Sequence, residues 1–265
     1  MNSRETLLYW SLKFSGKWNE IFQAIESKME CDDKEAKALF KTVKSKYITF
    51  LDDEYPESLK RMYKPPFVLY YYGDISLISD THNKLAVVGS RKCSDYGSNM
   101  TTEFVKELCK DFVIISGLAI GVDAIAHRTA IENGGKTVAV LGNGIDFTYL
   151  EENQDLYEEC TKNHLVLSEY PNRIDPCPFN FPIRNRIIAG LCETLLITEG
   201  KIRSGTQITA MLMTRKNGNV CCIPTRLGEE SICNHLISEG AFLVETPEDV
   251  YEVARVVRKK PVFEN

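Results

Sequence analysis

Seven short apolar runs follow one another along the chain from Lys84 onward, separated by stretches of about helix length. Each run is continuous and lacks the polar alternation of a half-exposed strand, so both faces of each predicted strand are expected to be covered. A parallel sheet with crossover helices meets this requirement, and the pattern predicts an α/β fold, a Rossmann-like sandwich with a mostly parallel sheet. The runs are LAVVG (85–89), FVIISG (112–117), TVAVLG (137–142), HLVLSE (164–169), TLLITE (194–199), VCCIP (220–224) and AFLVE (241–245).

The chain before these runs has a helical period. Apolar residues recur at the spacing of one helix face from Trp18 to Met29 and again from Ala36 to Tyr47, which predicts two amphipathic helices in a small bundle. Prolines at 56, 65 and 66 then interrupt any helix, and FVLYYYG (67–73) is β-prone. We therefore predict a small all-α domain over 1–48, an extended connecting segment over 49–80 and a Rossmann-like domain over 81–265.

The last part of this domain is predicted to be a helix. In TPEDVYEVARVVRKK (246–260), Thr246 is the expected N-cap, Pro247 occupies the first helical position and Asp249 stands three residues after the cap.

The composition limits the classes of function. A net charge of −5 argues against a protein coated in nucleic acid or bound to an anionic membrane, but it allows one basic cleft. Nine cysteines without a C-x-x-C pair favour reduced thiols over a disulfide framework or a zinc site. We expect a cytoplasmic protein without a leader, because the start, MNSRETLLYWSLKF, mixes polar residues into its apolar run and lacks a small-residue cleavage site. The most apolar later stretch, VIISGLAIGV, is too short to span a bilayer.

Familiar cofactor and catalytic signatures are incomplete. GNGIDF begins like a dinucleotide-binding loop but has Phe147 at the third glycine position, and GGKT (134–137) has Ala130 where a phosphate-binding loop has its first glycine. Asp123 and His127 share a helix face, but no nucleophile is linked to them, so a structural pair is favoured over a catalytic one. We expect no cofactor, no metal and no enzymatic turnover.

Glycine, serine and arginine follow the predicted strands. The carboxyl ends of parallel strands form one edge of a sheet, where backbone N–H groups and helix N-termini favour an anion, and arginine binds phosphate in a bidentate fork. This edge is the predicted binding site. The turns are GSRKCSDYG (89–97), SGLAIGVDAIAH (116–127), GNGIDFTYLEEN (142–153), EYPNRIDPCPFNFPIRNR (169–186) and EGKIRSGTQITA (199–210).

Several motifs occur together in one order and resemble the DNA-processing protein A (DprA, or Smf) family from about residue 50 to 245. The preceding helices resemble the SAM-like domain of some members, and the winged-helix module of others is not expected, since the chain ends about twenty residues after the last strand. The motifs are VVGSRKCSDYG, ISGLAIGVDAIAHRTAIENGGKTVAVLGNGID, SEY, FPIRNRIIAGL, SGTQITA and NHLISEGA.

The resemblance implies a homodimeric protein that binds single-stranded DNA and helps load the RecA recombinase during natural transformation, with no catalytic activity. Phe181 matches a position whose ring can stack on a base. The residues implied to contact DNA are Gly89, Ser90, Arg91, Ser116, Gly117, Phe181, Arg184, Asn185, Arg186, Lys201, Ser204, Gly205 and Thr206.

The two arginines of FPIRNR are expected to differ. If the helix begins near Pro182, Arg184 lies in its first turn, where its backbone N–H and its guanidinium could face the same anion. Arg186 lies about 200° further around the helix and cannot point the same way. Contact with DNA and an ion pair with an acidic residue both stay open for Arg186.

The chain departs from the family pattern at two positions. Ile120 stands where arginine is common, and Pro178 stands where lysine is typical. Each lost phosphate contact would lower the salt dependence of single-strand binding by a slope of about 0.7. Other cations could compensate, although a solvated charge is the simpler interpretation of each. They are Arg128, Arg173, Lys201 and Arg203.

Two alternatives remain beside DNA binding. The loss of basic residues at Ile120 and Pro178 fits a pocket that holds a nucleotide or a nucleotide-derived small molecule, in a sensor or a hydrolase. A structural protein that dimerises through its C-terminal strands is the third possibility.

Overall fold

The computed structural model describes residues 1–146, 151–226, 228–229 and 231–256, and nine strands in these ranges form one sheet. Strands β3 to β9 run parallel to one another, as predicted, whereas β2 pairs antiparallel with both β1 and β6. The order across the sheet is β1-β2-β6-β5-β4-β3-β7-β8-β9. The strands are β1 Lys46–Thr49, β2 Val68–Gly73, β3 Lys84–Val88, β4 Val113–Ser116, β5 Thr137–Leu141, β6 Leu165–Ser168, β7 Thr194–Ile197, β8 Asn219–Cys222 and β9 Phe242–Leu243.

Helices cover both faces of the parallel strands, which explains why these strands are continuously apolar. In β4, Ile115 packs into one core cluster and its neighbour Ile114 packs into the other. Successive side chains of a strand point to opposite faces, so each face needs its own layer of helices. The helices are α1 Ser3–Lys13, α2 Trp18–Glu26, α3 Asp33–Phe40, α4 Glu57–Lys60, α5 Asp95–Leu108, α6 Val122–Glu132, α7 Gln154–Asn163, α8 Asn180–Leu191, α9 Gly205–Arg215, α10 Ile232–Ser238 and α11 Pro247–Ala254.

The N-terminal helices pack around their own small core, which includes Tyr9, Trp10 and Ile21. The prediction of a helix that continues to Tyr47 is wrong, because α3 ends at Phe40 and Tyr47 pairs with Tyr70 between β1 and β2. A sequence period cannot show this pairing partner, which lies more than twenty residues further along the chain.

The segment 49–80, predicted to be an extended connection, contributes β2 to the sheet. Strand β1 crosses the predicted boundary at residue 48, so both predicted parts supply strands to the same sheet. The division into three domains stays a prediction.

The start of the last helix is confirmed. Thr246 and Asp249 form a capping box, and Pro247 is the first residue of α11. Residues 257–260 of the predicted helix lie outside the described residues, as does Phe147. Within the described ranges, no helix combines the length and the apolar character needed to cross a bilayer.

Candidate nucleic-acid interface

A groove of about 820 Å³ lies at the carboxyl edge of the parallel strands, between the loops after β3 and β7 and the first turns of α8 and α9. This is the edge at which the sequence predicts a binding site. Ten of the thirteen predicted site residues line it. They are Gly89, Ser90, Arg91, Phe181, Arg184, Asn185, Lys201, Ser204, Gly205 and Thr206.

The groove is basic, although the chain as a whole is acidic. Four exposed cations line it, namely Arg91, Lys92, Lys201 and Arg203. Asp123 is the one carboxylate among the described lining residues, and it is buried and accepts a hydrogen bond from the Gly117 N–H at 3.1 Å. Lys92 was not among the predicted site residues, although its place beside Arg91 in the turn after β3 is a usable signal.

An aromatic ring forms one end of the groove. The Arg91 guanidinium lies 5.4 Å from the centre of the half-buried Phe181 ring. Below the ring is Gly142, where a Cβ would stand 2.8 Å from Phe181 Cδ1. The glycine leaves room for the ring against the end of β5, and the Arg91 guanidinium lies beside the same ring.

The start of α9 adds a partial positive charge. Its N-cap residue, Ser204, makes no side-chain cap, because its hydroxyl donates to the Lys201 carbonyl oxygen at 2.6 Å. The first N–H groups of a helix have no partner within that helix, and the helix dipole favours an anion beside them. Gly205 and Thr206 place these groups in the wall of the groove.

Arg184 lines the groove but is held by the fold beneath it. Its Nη1 donates to the carbonyl oxygens of Gly117, at 2.7 Å, and of Val140, and its Nε donates to Asn185 Oδ1 at 3.1 Å. Burial lowers the pKa of this guanidinium to about 10, with the Asp123 carboxylate acting in the opposite direction. Arg184 therefore connects α8 to the ends of β4 and β5.

The expectation that the Arg184 backbone N–H faces an anion depends on α8 beginning near Pro182, and the helix begins two residues earlier. The helix begins at Asn180, and Pro182 is its third residue, a position whose N–H would have no partner within the helix. Arg184 then falls in the second turn, where its backbone N–H belongs to the helix ladder and not to an anion.

The other three predicted contact residues lie below or beside the groove. Arg186 Nη2 donates to both oxygens of Glu169, at 2.5 and 2.7 Å, which is the ion pair that the sequence left open. Ser116 is buried and donates to the Val87 carbonyl oxygen at 2.6 Å. Gly117 lines a smaller cavity of about 130 Å³ that shares Arg91, Phe181 and Arg184 with the groove.

Asp123 and His127 do not form the predicted pair. The carboxylate accepts from Gly117, whereas His127 Nδ1 lies 2.6 Å from Thr137 Oγ1. Burial lowers the pKa of His127 to about 3, so the ring is neutral at physiological pH. In the described part of the chain, no three His, Cys, Asp or Glu side chains are grouped as metal ligands.

The two residues that depart from the family pattern both line the site. Ile120 lines the smaller cavity, and Pro178 lines the groove. Of the cations that could compensate, Lys201 and Arg203 line the groove, whereas Arg128 forms an ion pair with Asp155 at 2.6 Å on α7.

Comparison with known families settles the membership of this chain. The model of the family described as DNA recombination-mediator protein A matches residues 46–255. The chain belongs to this family. The resemblance drawn from the motifs is thereby confirmed, and the matched range includes every residue that lines the groove.

Two relatives support this membership. The DNA processing protein DprA of Streptococcus pneumoniae is 44% identical over 76% of this chain and 72% of its own length. The corresponding protein of Bacillus subtilis is 37% identical over 75% of this chain and 68% of its own.

Two solved structures share the fold. The crystal structure of DprA from Streptococcus pneumoniae has a TM-score of 0.81 at 35% identity, over 93% of this chain and 95% of that one. A structure of DNA processing protein A from Helicobacter pylori, whose description concerns its single-stranded DNA binding mode, has a TM-score of 0.72 at 30% identity, over 79% of this chain and 95% of that one. The predicted Rossmann-like fold with a mostly parallel sheet is confirmed.

Proposed function

We propose that this protein binds single-stranded DNA in the groove at the carboxyl edge of its sheet. The observation that carries the proposal is the arrangement of Arg91 over the Phe181 ring, with Lys92, Lys201 and Arg203 along the same groove. Proteins that bind single strands combine a basic groove with aromatic rings on which bases stack, and each stack contributes about 1 to 3 kcal/mol.

Basic and apolar residues both line the groove, and they suit the phosphates and the bases of a DNA strand, respectively. The exposed cations and the start of α9 offer positive charge to phosphates. Ile208 and Met211 of α9 also line the groove and are exposed apolar side chains, which suit unstacked bases. The single-strand binding named for the Helicobacter pylori protein supports the same ligand here.

The wider role that we propose is accessory and not enzymatic. A protein of this kind would hold single-stranded DNA and assist loading of the RecA recombinase in natural transformation and recombination, as a cytoplasmic homodimer. The family name, DNA recombination-mediator protein A, supports this role. The pairing of His127 with Thr137 also argues against an Asp123–His127 catalytic pair.

Fluorescence anisotropy with labelled oligothymidine at two salt concentrations tests the binding. Arg91→Ala should weaken binding about tenfold or more and lower the salt-dependence slope by about 0.7, because one phosphate contact is lost. Lys162→Gln is the matched control, since Lys162 is an exposed cation of α7 outside the groove. No binding at low salt, or equal affinities for the Arg91 variant and the unmodified protein, would refute the proposal.

A nucleotide-derived small molecule is the second candidate, and the smaller cavity is the observation that favours it. This cavity joins Leu118, Ile120 and Leu141 to Arg184 and has the size of a nucleobase rather than of a strand. Native mass spectrometry of the purified protein separates the two candidates. A retained phosphorylated molecule would favour the small ligand, and a ligand-free mass together with oligothymidine binding would favour DNA.

A further inference from the structure

A second group of aromatic and basic side chains lies where α2 meets residues 63–67. The Trp18 ring stacks on Phe22, with centroids 5.0 Å apart, and on Phe67, with centroids 5.3 Å apart. Lys64 Nζ lies 5.0 Å from the centre of the Trp18 ring and 5.5 Å from that of Tyr63. We call these five residues the aromatic cluster.

The outer rings of the aromatic cluster face solvent. Tyr63 is 80% exposed and Phe22 is 42% exposed, so neither ring is needed to fill a core. The Trp18 ring is already stacked on two partners, so the rings with an exposed face for a ligand are those of Tyr63 and Phe22. Exposed aromatic rings that are grouped, rather than scattered, indicate an interaction surface.

Lys64 is held in place by both its backbone and its side chain. Its φ of +56° is a left-handed conformation that costs about 1 kcal/mol for a residue other than glycine. Its ammonium donates to Asn19 Oδ1 at 2.6 Å. This hydrogen bond places the charge beside the Trp18 and Tyr63 rings.

The surroundings of the aromatic cluster are basic on the side of Tyr63. The segment KRMYK (60–64) carries three cations in five residues. Lys60 pairs with Glu57, whereas Arg61 is exposed. This surface therefore complements a polyanion better than an apolar or basic partner.

The aromatic cluster lies along the same edge of the sheet as the groove. In the sheet order, β4, β5 and β6 follow in turn from β3, whose loop lines the groove. Phe181 lies over Gly142 at the end of β5, and Gly144, two residues further along the same loop, donates its N–H to the Ile174 carbonyl oxygen in the loop after β6 at 2.8 Å.

The loop after β6 in turn contacts the turn that precedes α2. A Cβ at Gly16 would stand 2.6 Å from the Glu169 carbonyl oxygen, so the two backbones touch. Lys17 and Trp18 follow Gly16 directly. A strand that passes Phe181 and follows the edge of the sheet is thus led across the loop after β6 toward the aromatic cluster.

We propose that the aromatic cluster is a second stacking platform for the single strand. A strand long enough to leave the groove beyond Phe181 stacks bases on Tyr63 and Phe22 and brings a phosphate to Lys64. This inference rests on the proposed function of the groove, because it assigns the path of the same strand outside it. A short oligonucleotide fills the groove alone and does not reach the platform.

Oligonucleotide length separates the platform from the groove. Affinities are measured by anisotropy for oligothymidines of about 6 and about 20 nucleotides, which span the usual site sizes. Tyr63→Ala should weaken binding of the long oligonucleotide about tenfold and leave binding of the short one within about twofold. Tyr63→Phe, which keeps the ring, should bind like the unmodified protein. Lys64→Gln should lower the salt slope for the long oligonucleotide by about 0.7.

Tryptophan fluorescence gives an independent readout. The chain has two tryptophans, and Trp10 is 1% exposed in the N-terminal core, so a change on binding reports Trp18. The long oligonucleotide should quench the emission and the short one should not, and Trp18→Phe should abolish the quenching.

The outcomes distinguish the two proposals. If the unmodified protein binds neither oligonucleotide, the function of the groove is refuted. If it binds both, but Tyr63→Ala binds the long oligonucleotide as tightly as the unmodified protein, the groove stands and the platform is wrong. Equal weakening for both lengths would also overturn the platform, because the short strand should not reach it.

Discussion

Arg186 and Glu169 form a buried ion pair beneath the groove, with Nη2 of the arginine 2.5 and 2.7 Å from the two carboxylate oxygens. Removal of one partner from a buried pair leaves a charge without compensation, which costs about 3 to 5 kcal/mol. We therefore expect Arg186→Met to lower the free energy of unfolding by about that amount, measured by urea denaturation.

The double variant Arg186→Met, Glu169→Leu is the matched control for this pair. It removes both charges and should recover most of the lost stability, because no buried charge remains alone. If the single variant were as stable as the unmodified protein and instead lost only DNA affinity, Arg186 would be a contact residue and not a support of the fold.

The sequence predicted the sheet and the edge at which the groove lies, because continuous apolar strands and the turns after them are local patterns. It did not predict that Arg184 points beneath the groove. The Arg184 guanidinium is held by the Gly117 and Val140 carbonyl oxygens, and no local pattern can show such contacts between distant parts of the chain. The antiparallel pairing of β2 with β6 was also missed, since their residues lie almost a hundred positions apart.

Gly117 is expected to tolerate no side chain, although its backbone conformation is ordinary. A Cβ there would stand 2.6 Å from Arg184 Cζ, and the guanidinium cannot move without leaving the Gly117 and Val140 carbonyl oxygens. Gly117→Ala should therefore lower the free energy of unfolding by about 3 kcal/mol.

Gly205→Ala is the control for the Gly117 variant. A Cβ at Gly205, the first residue of α9, meets nothing nearer than Asn185 Nδ2 at 3.9 Å. Its effect on the unfolding free energy should stay within about 0.5 kcal/mol. A Gly117 variant as stable as this control would show that the Arg184 guanidinium is free to move.

Arg128 is expected not to compensate for the basic residues that are absent at Ile120 and Pro178. Its guanidinium binds Asp155 through two hydrogen bonds, at 2.6 and 2.8 Å, and this pairing lowers the pKa of Asp155 to about 2. Arg128→Ala should leave oligothymidine affinity within about twofold and the salt slope unchanged, whereas Arg203→Ala should lower the slope by about 0.7. Anisotropy titrations at several salt concentrations measure both, and a lower slope for the Arg128 variant would place that residue on the DNA path.

His127 should make the protein less stable in mild acid. Its pKa is about 3 in the folded chain, because the ring is buried and Nε2 has no partner among the described residues, and it is near 6.5 when the chain is unfolded. Between these values the unfolded state binds more protons, so the free energy of unfolding falls as the pH falls below about 6.5. At pH 5 the folded ring is still neutral, and the expected loss relative to pH 7 is about 2 kcal/mol.

The difference between the unmodified protein and His127→Asn isolates this contribution from that of the buried carboxylates. Burial raises the pKa of Asp123, so its contribution has the opposite sign: stability is lost as the pH rises through its titration. Both proteins carry Asp123, and its contribution cancels when their urea denaturation curves are compared at pH 5 and pH 7. The asparagine amide can keep the hydrogen bond to Thr137 but does not titrate, so the variant should lose about 2 kcal/mol less than the unmodified protein on acidification. An equal loss in both would mean that His127 becomes protonated in the folded state and that its neutral form is not required by the fold.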